Sequence, residues 1–458
     1  MNKTFRWIPI CICILALLLA VKPVEAKVSA EEAQKLTDGT LTPLGADPKG
    51  NEDGTIPPWE GGITEWPDGY KEGERQVNPF PNDKILFTIS AANAAEYADK
   101  LSPGQLAMFQ RYPNTWKMNI YQSRRTASYP QRIYDSSVKN ATTAVMAEGG
   151  NGVLNAEGGG PPFPIPKEGL EAVWNHLFRF RNDTILREYA SIAPTASGQY
   201  TTVTVREQIL LPYSAPGATI ESINNRLLFF LQEVVAPPRL AGQILLVHET
   251  LDQVREPRKA WMYNPGQRRV RRAPNVAYDN PGTASDGQRT SDQLDMYNGA
   301  PDRYNWTLVG KREQYIPYNS YILHDQRWKY SDIIQPGHVN PDLLRYEPHR
   351  VWVVEANLKE GTRHIYHKRI FYIDEDSWAI CIADNYDARL EIWRPQEGHQ
   401  INYYDLKMVG PTMEVVYDLQ NGRYVALGLT NEGANWTFNE KYSVDMFSPA
   451  EVRRMGRR

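Results

Sequence analysis

Apolar and polar residues alternate in short blocks over the last third of the chain, as they do in an antiparallel sheet. Four apolar-rich stretches separated by short polar turns predict strands at residues 350–357, 363–373, 378–384 and 389–394. Because Trp378–Ala383 is apolar at successive positions, both faces of this sheet are expected to be covered, by helices or by a ligand. The pattern therefore predicts a meander buried on both sides.

Further elements are predicted before the meander. Residues 244–248 predict a strand, and residues 261–272 predict a hairpin with an Asn-Pro-Gly turn. Apolar positions at helical spacing predict a helix over 167–182. Residues 224–235 fit both a helix and a buried strand, and their apolar stripe favours the helix. Three more short helices are predicted from serine N-caps at Ser29, Ser102 and Ser448.

The first 26 residues are predicted to be a signal peptide. Lys3 and Arg6 precede an apolar run of 14 residues, from Ile8 to Val21, which is shorter than the roughly 20 residues that span a bilayer. We expect cleavage after Ala26 and a periplasmic location; the alternative is an uncleaved anchor helix. Cleavage leaves one cysteine, Cys381, and hence no intramolecular disulfide, which fits a bacterial periplasm.

Composition narrows the classes of function. The chain has 458 residues with 51 Lys+Arg and 54 Asp+Glu, a formal net charge of -3. This balance excludes a basic polyanion-binding protein, so no nucleic-acid partner is expected. The 26 Tyr and 12 Trp favour sheet and surfaces that bind other molecules.

No motif indicates catalysis or a cofactor. Residues 148–169 are rich in glycine but lack the Gly-Lys-Ser/Thr of a phosphate loop and the third glycine of a dinucleotide motif. They predict a loop whose backbone passes close to other elements. His364 and His367 are expected on opposite faces of a strand, where they could not share a metal. The acidic residues 374–376 favour a hairpin turn, and the aspartates between 279 and 302 lack the spacing of a calcium loop. We expect no enzymatic activity, no metal and no cofactor.

The most unusual charged feature is a run of four arginines, Arg268, Arg269, Arg271 and Arg272. On a strand, Arg268 and Arg272 point one way and Arg269 and Arg271 the other. The run fits a solvated edge strand that resists aggregation. It also fits a contact for an anionic head group or an acidic partner.

Several stretches resemble known envelope families. Residues 247–272 and 371–393 resemble the periplasmic outer-membrane lipoprotein-sorting superfamily, to which the carriers LolA and LolB belong. Residues 41–46, 165–172 and 239–242 resemble a bacterial envelope family known as domain of unknown function 1329, and this similarity extends over nearly the whole mature chain. The resemblance implies an α+β fold: a strongly curved antiparallel sheet, or incomplete β-barrel, with helices covering its open face and with N-terminal extensions.

The resemblance also implies a domain organisation and partners. After the signal peptide, residues 27–165 are expected to form an extended and helical segment that wraps the core. Residues 166–447 are expected to form the curved-sheet domain, and residues 448–458 a short helix with a basic tail. The implied partners are an exporter of the resistance-nodulation-division type or an outer-membrane protein, with transient contact to a membrane surface.

The expected function is therefore a non-enzymatic periplasmic carrier for a lipid or other hydrophobic molecule. Its cavity is predicted to be lined by Trp174, Phe178, Leu227, Phe230, Leu231, Trp261, Tyr263, Trp352 and Val354. The alternative is a structural or adaptor protein of an envelope transport complex. In that case the aromatic faces would be dry core and the arginine run a docking edge. A hydrolase of envelope polymers would need convergent carboxylates in a cleft, and the sequence shows no such group.

Overall fold

A computed structural model describes residues 28–457, so the predicted signal peptide lies outside the described residues. Within that range the chain forms eight α-helices and eighteen strands. The strands are β1 Phe87–Ser90, β2 Lys117–Ile120, β3 Val145–Met146, β4 Val153–Leu154, β5 Thr184–Ile192, β6 Thr202–Leu210, β7 Arg226–Ala236, β8 Ile244–Thr250, β9 Lys259–Asn264, β10 Arg269–Arg272, β11 Tyr304–Pro317, β12 Tyr346–Leu358, β13 Lys368–Asp374, β14 Ile380–Tyr386, β15 Ile392–Tyr403, β16 Met408–Asp418, β17 Arg423–Leu429 and β18 Thr437–Phe438. The helices are α1 Ala30–Gln34, α2 Pro103–Arg111, α3 Gln131–Thr143, α4 Gly169–Phe178, α5 Ile220–Ile223, α6 Tyr321–His324, α7 Tyr330–Ile333 and α8 Pro449–Met455.

One sheet of sixteen strands organises the described chain, in the order β1-β2-β12-β13-β14-β15-β16-β17-β5-β6-β7-β8-β9-β10. β11 pairs with β12 and β18 with β5, outside this order. Neighbouring strands are antiparallel, apart from one parallel pairing of Ile120 with Tyr346. The two ends of the order, β1 and β10, do not pair with each other. The sheet is therefore strongly curved but open, and the α+β fold class predicted from the sequence is confirmed.

The two faces of the sheet follow from the strand register. Residues paired across strands project from the same face, and one such row runs through Ile185, Ile209, Phe230 and Val247 on β5–β8. Residues of β5–β8 and of β16 converge on one cavity from this side. We therefore call it the concave face and the opposite side the convex face.

Both faces of the meander are covered, as the sequence predicted. All six side chains of Trp378–Ala383 are buried. On the concave face, α4 packs on β11 and β12. On the convex face, Met108 and Phe109 of α2 pack with Met413 and Val415 of β16. The layers on both sides are protein, so this part of the sheet holds a dry core.

The prediction of a helix over 224–235 is wrong. This stretch is β7, which pairs with β6 and β8. Phe230 projects from the concave face, whereas Phe229 and Leu231 pack on the convex face against the C-terminal segment. Because both faces are covered, β7 shows no apolar-polar alternation, and its apolar positions fit a helical period equally well.

The predicted serine caps are confirmed. The hydroxyls of Ser29, Ser102 and Ser448 accept hydrogen bonds from backbone N–H groups three residues later, at 3.1, 3.1 and 3.2 Å. The helix predicted over 167–182 is shorter, Gly169–Phe178, because the chain turns into β5 at Thr184. The three predicted caps therefore mark where α1, α2 and α8 begin.

The glycine-rich loop passes close to other elements, as predicted. A Cβ atom on Gly160 would lie 2.5 Å from the backbone N of Ser137 in α3. The carbonyl of Gly160 accepts hydrogen bonds from the hydroxyl of Tyr213 (2.6 Å) and the amide of Asn140 (3.1 Å). The loop and α3 are thus packed backbone to backbone, which a larger residue would prevent.

Residues 41–86 contain no helix or strand and run along the fold. Trp59 is docked, since its indole N–H donates to the carbonyl of Ala127 at 3.1 Å. Trp66 is 43% exposed. Among residues 28–457, no helix combines the length and apolar character needed to cross a bilayer.

Candidate ligand-binding cavity

The centre of the concave face is occupied by the connection between β10 and β11. We call residues 274–303 the inner segment. It contains three 3₁₀ turns, Pro274–Ala277, Ser291–Gln293 and Pro301–Arg303. Polar side chains of the sheet hold its backbone: Ser191 donates to the carbonyl of Ala284 at 2.6 Å, and Glu414 accepts from the N–H of Met296 at 2.9 Å. The segment is therefore fixed to the sheet along its length.

Two buried aspartates of the inner segment strengthen this attachment. Asp292 pairs with Arg369 at 2.7 Å and with His364 at 3.0 Å. Burial alone would raise the pKa of Asp292, but the charges of Arg369 and His364 hold it well below its usual range. Asp295 pairs with both Arg179 and Arg181, whose charges likewise lower its pKa despite burial. Both aspartates are therefore charged, and each ties the segment to the structure around it.

His364 corrects one expectation from the sequence. His364 and His367 precede β13 and do not lie on a strand. His364 is buried against Asp292, and the backbone N–H of His367 donates to the carbonyl of Tyr386 at 3.0 Å. The premise of two opposite strand faces is thus wrong, because the chain bends before β13 begins.

Beside the inner segment, the concave face of β5–β8 is left open as a cavity. The space between its side chains is about 1010 Å³ including its opening to solvent, of which about 90 Å³ is free for the centre of a water-sized molecule. Most of the lining is apolar, from Ile185, Ile209, Leu211, Leu228, Phe230, Leu245, Val247, Val276, Leu294, Met408 and Trp436. A continuous apolar wall of this kind suits an apolar ligand, because burial of apolar surface is the main favourable term in its binding.

The same cavity carries four guanidinium groups, from Arg181, Arg187, Arg258 and Arg289. Arg187 pairs with Glu207, Arg258 with Glu249 and Arg181 with Asp295. Arg289 donates hydrogen bonds to two backbone carbonyls and forms no ion pair with a described residue. These arginines could not be singled out from the sequence. Only Arg187 lies on a strand, and an arginine in a strand or loop usually projects into solvent.

A second opening lies on the other side of the inner segment. It measures about 1350 Å³, including open solvent, and its lining comes from the ends of β5–β7 and from residues 282–287. Arg239, Gln243, Asp286 and Arg423 give it a polar wall. The inner segment therefore divides the concave face into an apolar and a polar compartment.

The nine predicted lining residues fall in three places. Phe230 lines the apolar cavity. Trp174, Phe178, Leu227 and Val354 belong to the large core around α4, and Trp352 packs against that core with its ring stacked 6.3 Å from Trp378. Leu231, Trp261 and Tyr263 lie on the convex face, packed with Phe447 and Val452. The structure therefore distributes these nine residues over both sides of the sheet and does not gather them around one cavity.

The predicted arginine run forms the edge of the sheet. Arg268, Arg269, Arg271 and Arg272 are all exposed on or beside β10. Arg272 lies over the ring of Trp261 at 4.6 Å. Arg271 pairs with Met262, which pairs with Leu245 of the cavity lining. Leu245, Met262 and Arg271 therefore form one row on the concave face, from the cavity to the cationic edge. Met262, in the middle of this row, is 41% exposed.

One group of side chains has the composition of a metal site. Atoms of His349, Asp374 and Asp376 lie within 4.8 Å of one another. However, Arg125 binds both oxygens of Asp376, at 2.8 and 2.6 Å. Burial alone would lower the pKa of His349, but Asp374 and Glu347 raise it to about 9. A protonated imidazole has no free lone pair for a metal, so the group fits a buried ion network at the predicted 374–376 turn.

Sequence similarity identifies the family of this chain. The model of the family described as "Protein of unknown function (DUF1329)" matches residues 88–453. The chain belongs to the DUF1329 family. A DUF1329 relative, the protein PA3922 of Pseudomonas aeruginosa, is 50% identical over 445 residues, which is 97% of each chain. The family resemblance stated from the sequence is therefore confirmed.

Solved structures similar to this DUF1329 protein include an outer membrane lipoprotein-sorting protein domain from Vibrio parahaemolyticus (14% identity, 62% of this chain and 98% of that chain, TM-score 0.43). A DUF1329 family protein from Desulfovibrio piger has 14% identity, with 59% and 92% covered and a TM-score of 0.40. A LolA superfamily protein from Nitrosomonas europaea has 12% identity, with 61% and 97% covered and a TM-score of 0.37.

Proposed function

We propose that this protein is a periplasmic carrier for a lipid or other hydrophobic molecule, and that it acts without catalysis. The observation that carries the proposal is the apolar cavity on the concave face of β5–β8, which opens to solvent. Each buried methylene contributes about 0.8 kcal/mol, so a chain of roughly 14–16 carbons offers about 11–13 kcal/mol before the costs of binding. The free space of about 90 Å³ holds only part of such a chain, so burial of the whole chain requires the side chains of the wall to move apart.

The arginine edge supplies the second part of the proposal. Arg268, Arg269, Arg271 and Arg272 are exposed, and none forms an ion pair with any described residue. We assign this edge the contact with the anionic head groups of a membrane surface or with an acidic partner such as an envelope exporter. The alternative function, an adaptor of an envelope transport complex, uses the same edge for docking. It is favoured by the dry packing of Trp174, Phe178 and Val354.

Native mass spectrometry of protein purified gently from the periplasm tests the carrier function. We expect a discrete adduct that is lost on denaturation, together with uptake of a fluorescent acyl probe. Phe230→Asp places a charge on the apolar wall and should weaken probe binding at least tenfold, because a buried phenylalanine contributes about 1.5–3 kcal/mol. Leu390→Asp, on a side chain that is already 61% exposed, should leave binding unchanged.

Val247→Trp is a second variant that fills the cavity without adding charge. It should also abolish probe uptake. A bare polypeptide mass, together with no probe uptake by the folded wild-type protein, would refute the carrier function and favour the adaptor.

A further inference from the structure

The charge inside the apolar cavity is not balanced. The described chain places Arg179, Arg181, Arg187, Arg258 and Arg289 in or beside it. The first four form ion pairs with three acids, Asp295, Glu207 and Glu249, and a fourth acid, Glu414, is close enough to feel the charges of Arg187 and Arg289. A guanidinium buried without an anionic partner is costly, because it loses its hydration and gains no compensating charge. The surplus positive charge therefore marks this cavity as more than a space for apolar chains.

Arg289 is the clearest case. It lies on the inner segment, is only 3% exposed and lines the cavity. Its two terminal nitrogens donate to the backbone carbonyls of Thr290 at 3.2 Å and Thr283 at 3.1 Å, and its Nε has no hydrogen-bond partner. Of the ion pairs that residues 28–457 form, none includes Arg289. Neutral carbonyls orient the guanidinium, and Glu414, the acid whose pKa its charge lowers, forms no ion pair with it.

The backbone around Arg289 is shaped to hold it there. Gly282 packs directly against the guanidinium, and a Cβ atom at that position would lie 2.5 Å from Nη1. Carbonyls on one side and a glycine on the other keep the cation in place with no acidic side chain. This arrangement is a built site, because it holds a buried cation in a fixed position without an acidic ion-pair partner.

Arg181 adds a second under-compensated cation. It shares the single carboxylate of Asp295 with Arg179, and its Nε is also without a hydrogen-bond partner. Burial and the charges of Arg179 and Arg187 lower the pKa of Arg181 to about 10, against the pull of Asp295. Glu414 is the other acid close to these arginines. Burial and the charge of Asp295 raise the pKa of Glu414 to about 7. At neutral pH it supplies only part of a negative charge.

We propose that the cavity binds an amphiphile whose anionic group, a carboxylate or a phosphate, pairs with Arg289 and Arg181. Its apolar chain lies along the wall of Ile209, Phe230 and Val247. The ligand's anion supplies the charge that the cavity lacks, and a planar guanidinium can bind a carboxylate or phosphate with two parallel hydrogen bonds. This inference rests on the proposed carrier function and adds the class of ligand.

The test compares three ligands with the same chain: dodecanoate, dodecyl phosphate and dodecanol. The full mature protein is titrated with each ligand by displacement of a neutral fluorescent acyl probe. We expect at least one of the two anions to bind about tenfold or more tightly than the alcohol, because a hydrogen bond to a charged group contributes about 1.5–3 kcal/mol. Preference for the carboxylate indicates a fatty acid as ligand, and preference for the phosphate indicates a phospholipid-like head group.

Variants at position 289 locate the effect. Arg289→Gln should weaken anion binding about tenfold to a hundredfold and leave dodecanol binding unchanged. Arg289→Lys keeps the charge and should restore part of the preference. Arg255→Gln removes an exposed arginine outside the cavity and serves as the matched control. Thermal unfolding of each variant checks that it is folded.

The outcomes separate the two proposals. Equal affinity of the wild-type protein for dodecanol and both anions would overturn the anionic ligand while leaving the carrier function in place. An equal loss of all three ligands in a folded Arg289→Gln variant would also overturn it. Failure of all three ligands to bind the wild-type protein would overturn the carrier function itself. If Arg289→Gln does not fold, the preference for anions over dodecanol is compared between the wild-type protein and Arg289→Lys. An unchanged preference in Arg289→Lys would then overturn the role of the guanidinium.

Discussion

A buried carboxyl group joins the start of α2 to β14, and its titration should make the free energy of unfolding depend on pH. Asp384 of β14 is fully buried. It accepts hydrogen bonds from the N–H of Gly104 at 3.0 Å and the hydroxyl of Ser102 at 3.1 Å, at the first turn of α2. No described basic side chain forms an ion pair with it. Burial, together with the charge of Glu397, raises the pKa of Asp384 to about 7 from a model-peptide value of 3.8.

The sign of the effect follows from proton linkage. Below about pH 4 the carboxyl is protonated in both the folded and unfolded states, so its burial does not lower the free energy of unfolding. As the pH rises from about 4 to 7, the unfolded chain releases this proton while the folded protein retains it, so the fold loses stability. Because the pKa is raised by roughly 3, the ionised carboxylate lowers the free energy of unfolding by about 4 kcal/mol. This loss is complete above about pH 7.

Asp384→Asn removes the titration and keeps the shape of the side chain. Its amide can still accept from Gly104 and donate to Ser102, so two neutral hydrogen bonds replace two bonds to a carboxyl. After about 1 kcal/mol is allowed for weaker bonding to the helix N-terminus, we expect the variant to be about 2–4 kcal/mol more stable than the wild type at pH 8. The two should be nearly equal at pH 4.

Urea unfolding followed by circular dichroism across this pH range measures the difference in the free energy of unfolding. Asp445→Asn, at an exposed position, controls for the loss of one negative charge. A variant less stable than the wild type at pH 8 would refute the reasoning. It would mean that the dipole and N–H groups of α2 stabilise the ionised carboxylate more than burial destabilises it.

Two further predictions concern the edge of the sheet and the glycine-rich loop. Replacing Arg268, Arg269, Arg271 and Arg272 with glutamine should lower co-sedimentation with phosphatidylglycerol vesicles more than tenfold, since each arginine near an anionic surface contributes about 1 kcal/mol. Phosphatidylcholine vesicles and a variant with glutamine at the exposed lysines Lys35, Lys49, Lys71 and Lys84 are the controls, and equal loss in both variants would contradict a role for this edge. Gly160→Ala should lower the free energy of unfolding by about 1–3 kcal/mol, because its Cβ would lie 2.5 Å from the backbone of Ser137. Gly433→Ala, where the nearest atom is 3.8 Å away, should have little effect in the same chemical-denaturation experiment.

Local chemistry made part of the fold predictable. The strands of the meander follow from apolar runs separated by polar turns, and the helix starts follow from serine caps, because both signals act within a few residues of sequence. β7 was not predictable in this way. Its two faces are buried by different layers, the cavity wall at Phe230 and the C-terminal segment at Leu231. Which layer covers a residue depends on contacts distant in sequence.

The cavity illustrates the same limit for the candidate site. Phe230 lines it, but its arginines reach it from three separate parts of the chain: Arg181 and Arg187 from around the start of β5, Arg258 from the residue before β9, and Arg289 from the inner segment. An arginine in a strand or loop predicts solvent exposure unless its partner is known. Asp295, the partner of Arg181, lies over 100 positions further along the chain. Only the path of the inner segment across the sheet brings these charges together.

The inner segment also separates the shape of the binding space from the framework that supports it. Residues 274–303 are one connection between two strands, and no strand pairing of the sixteen-stranded sheet passes through them. Substitutions or changes of length there would alter the size, charge and division of the concave space while every strand kept its register. Members of one family could thus diverge in the size and charge of this space by changing about thirty residues. Any exchange would have to keep an acid opposite Arg369 and another opposite Arg179 and Arg181, the roles that Asp292 and Asp295 fill here.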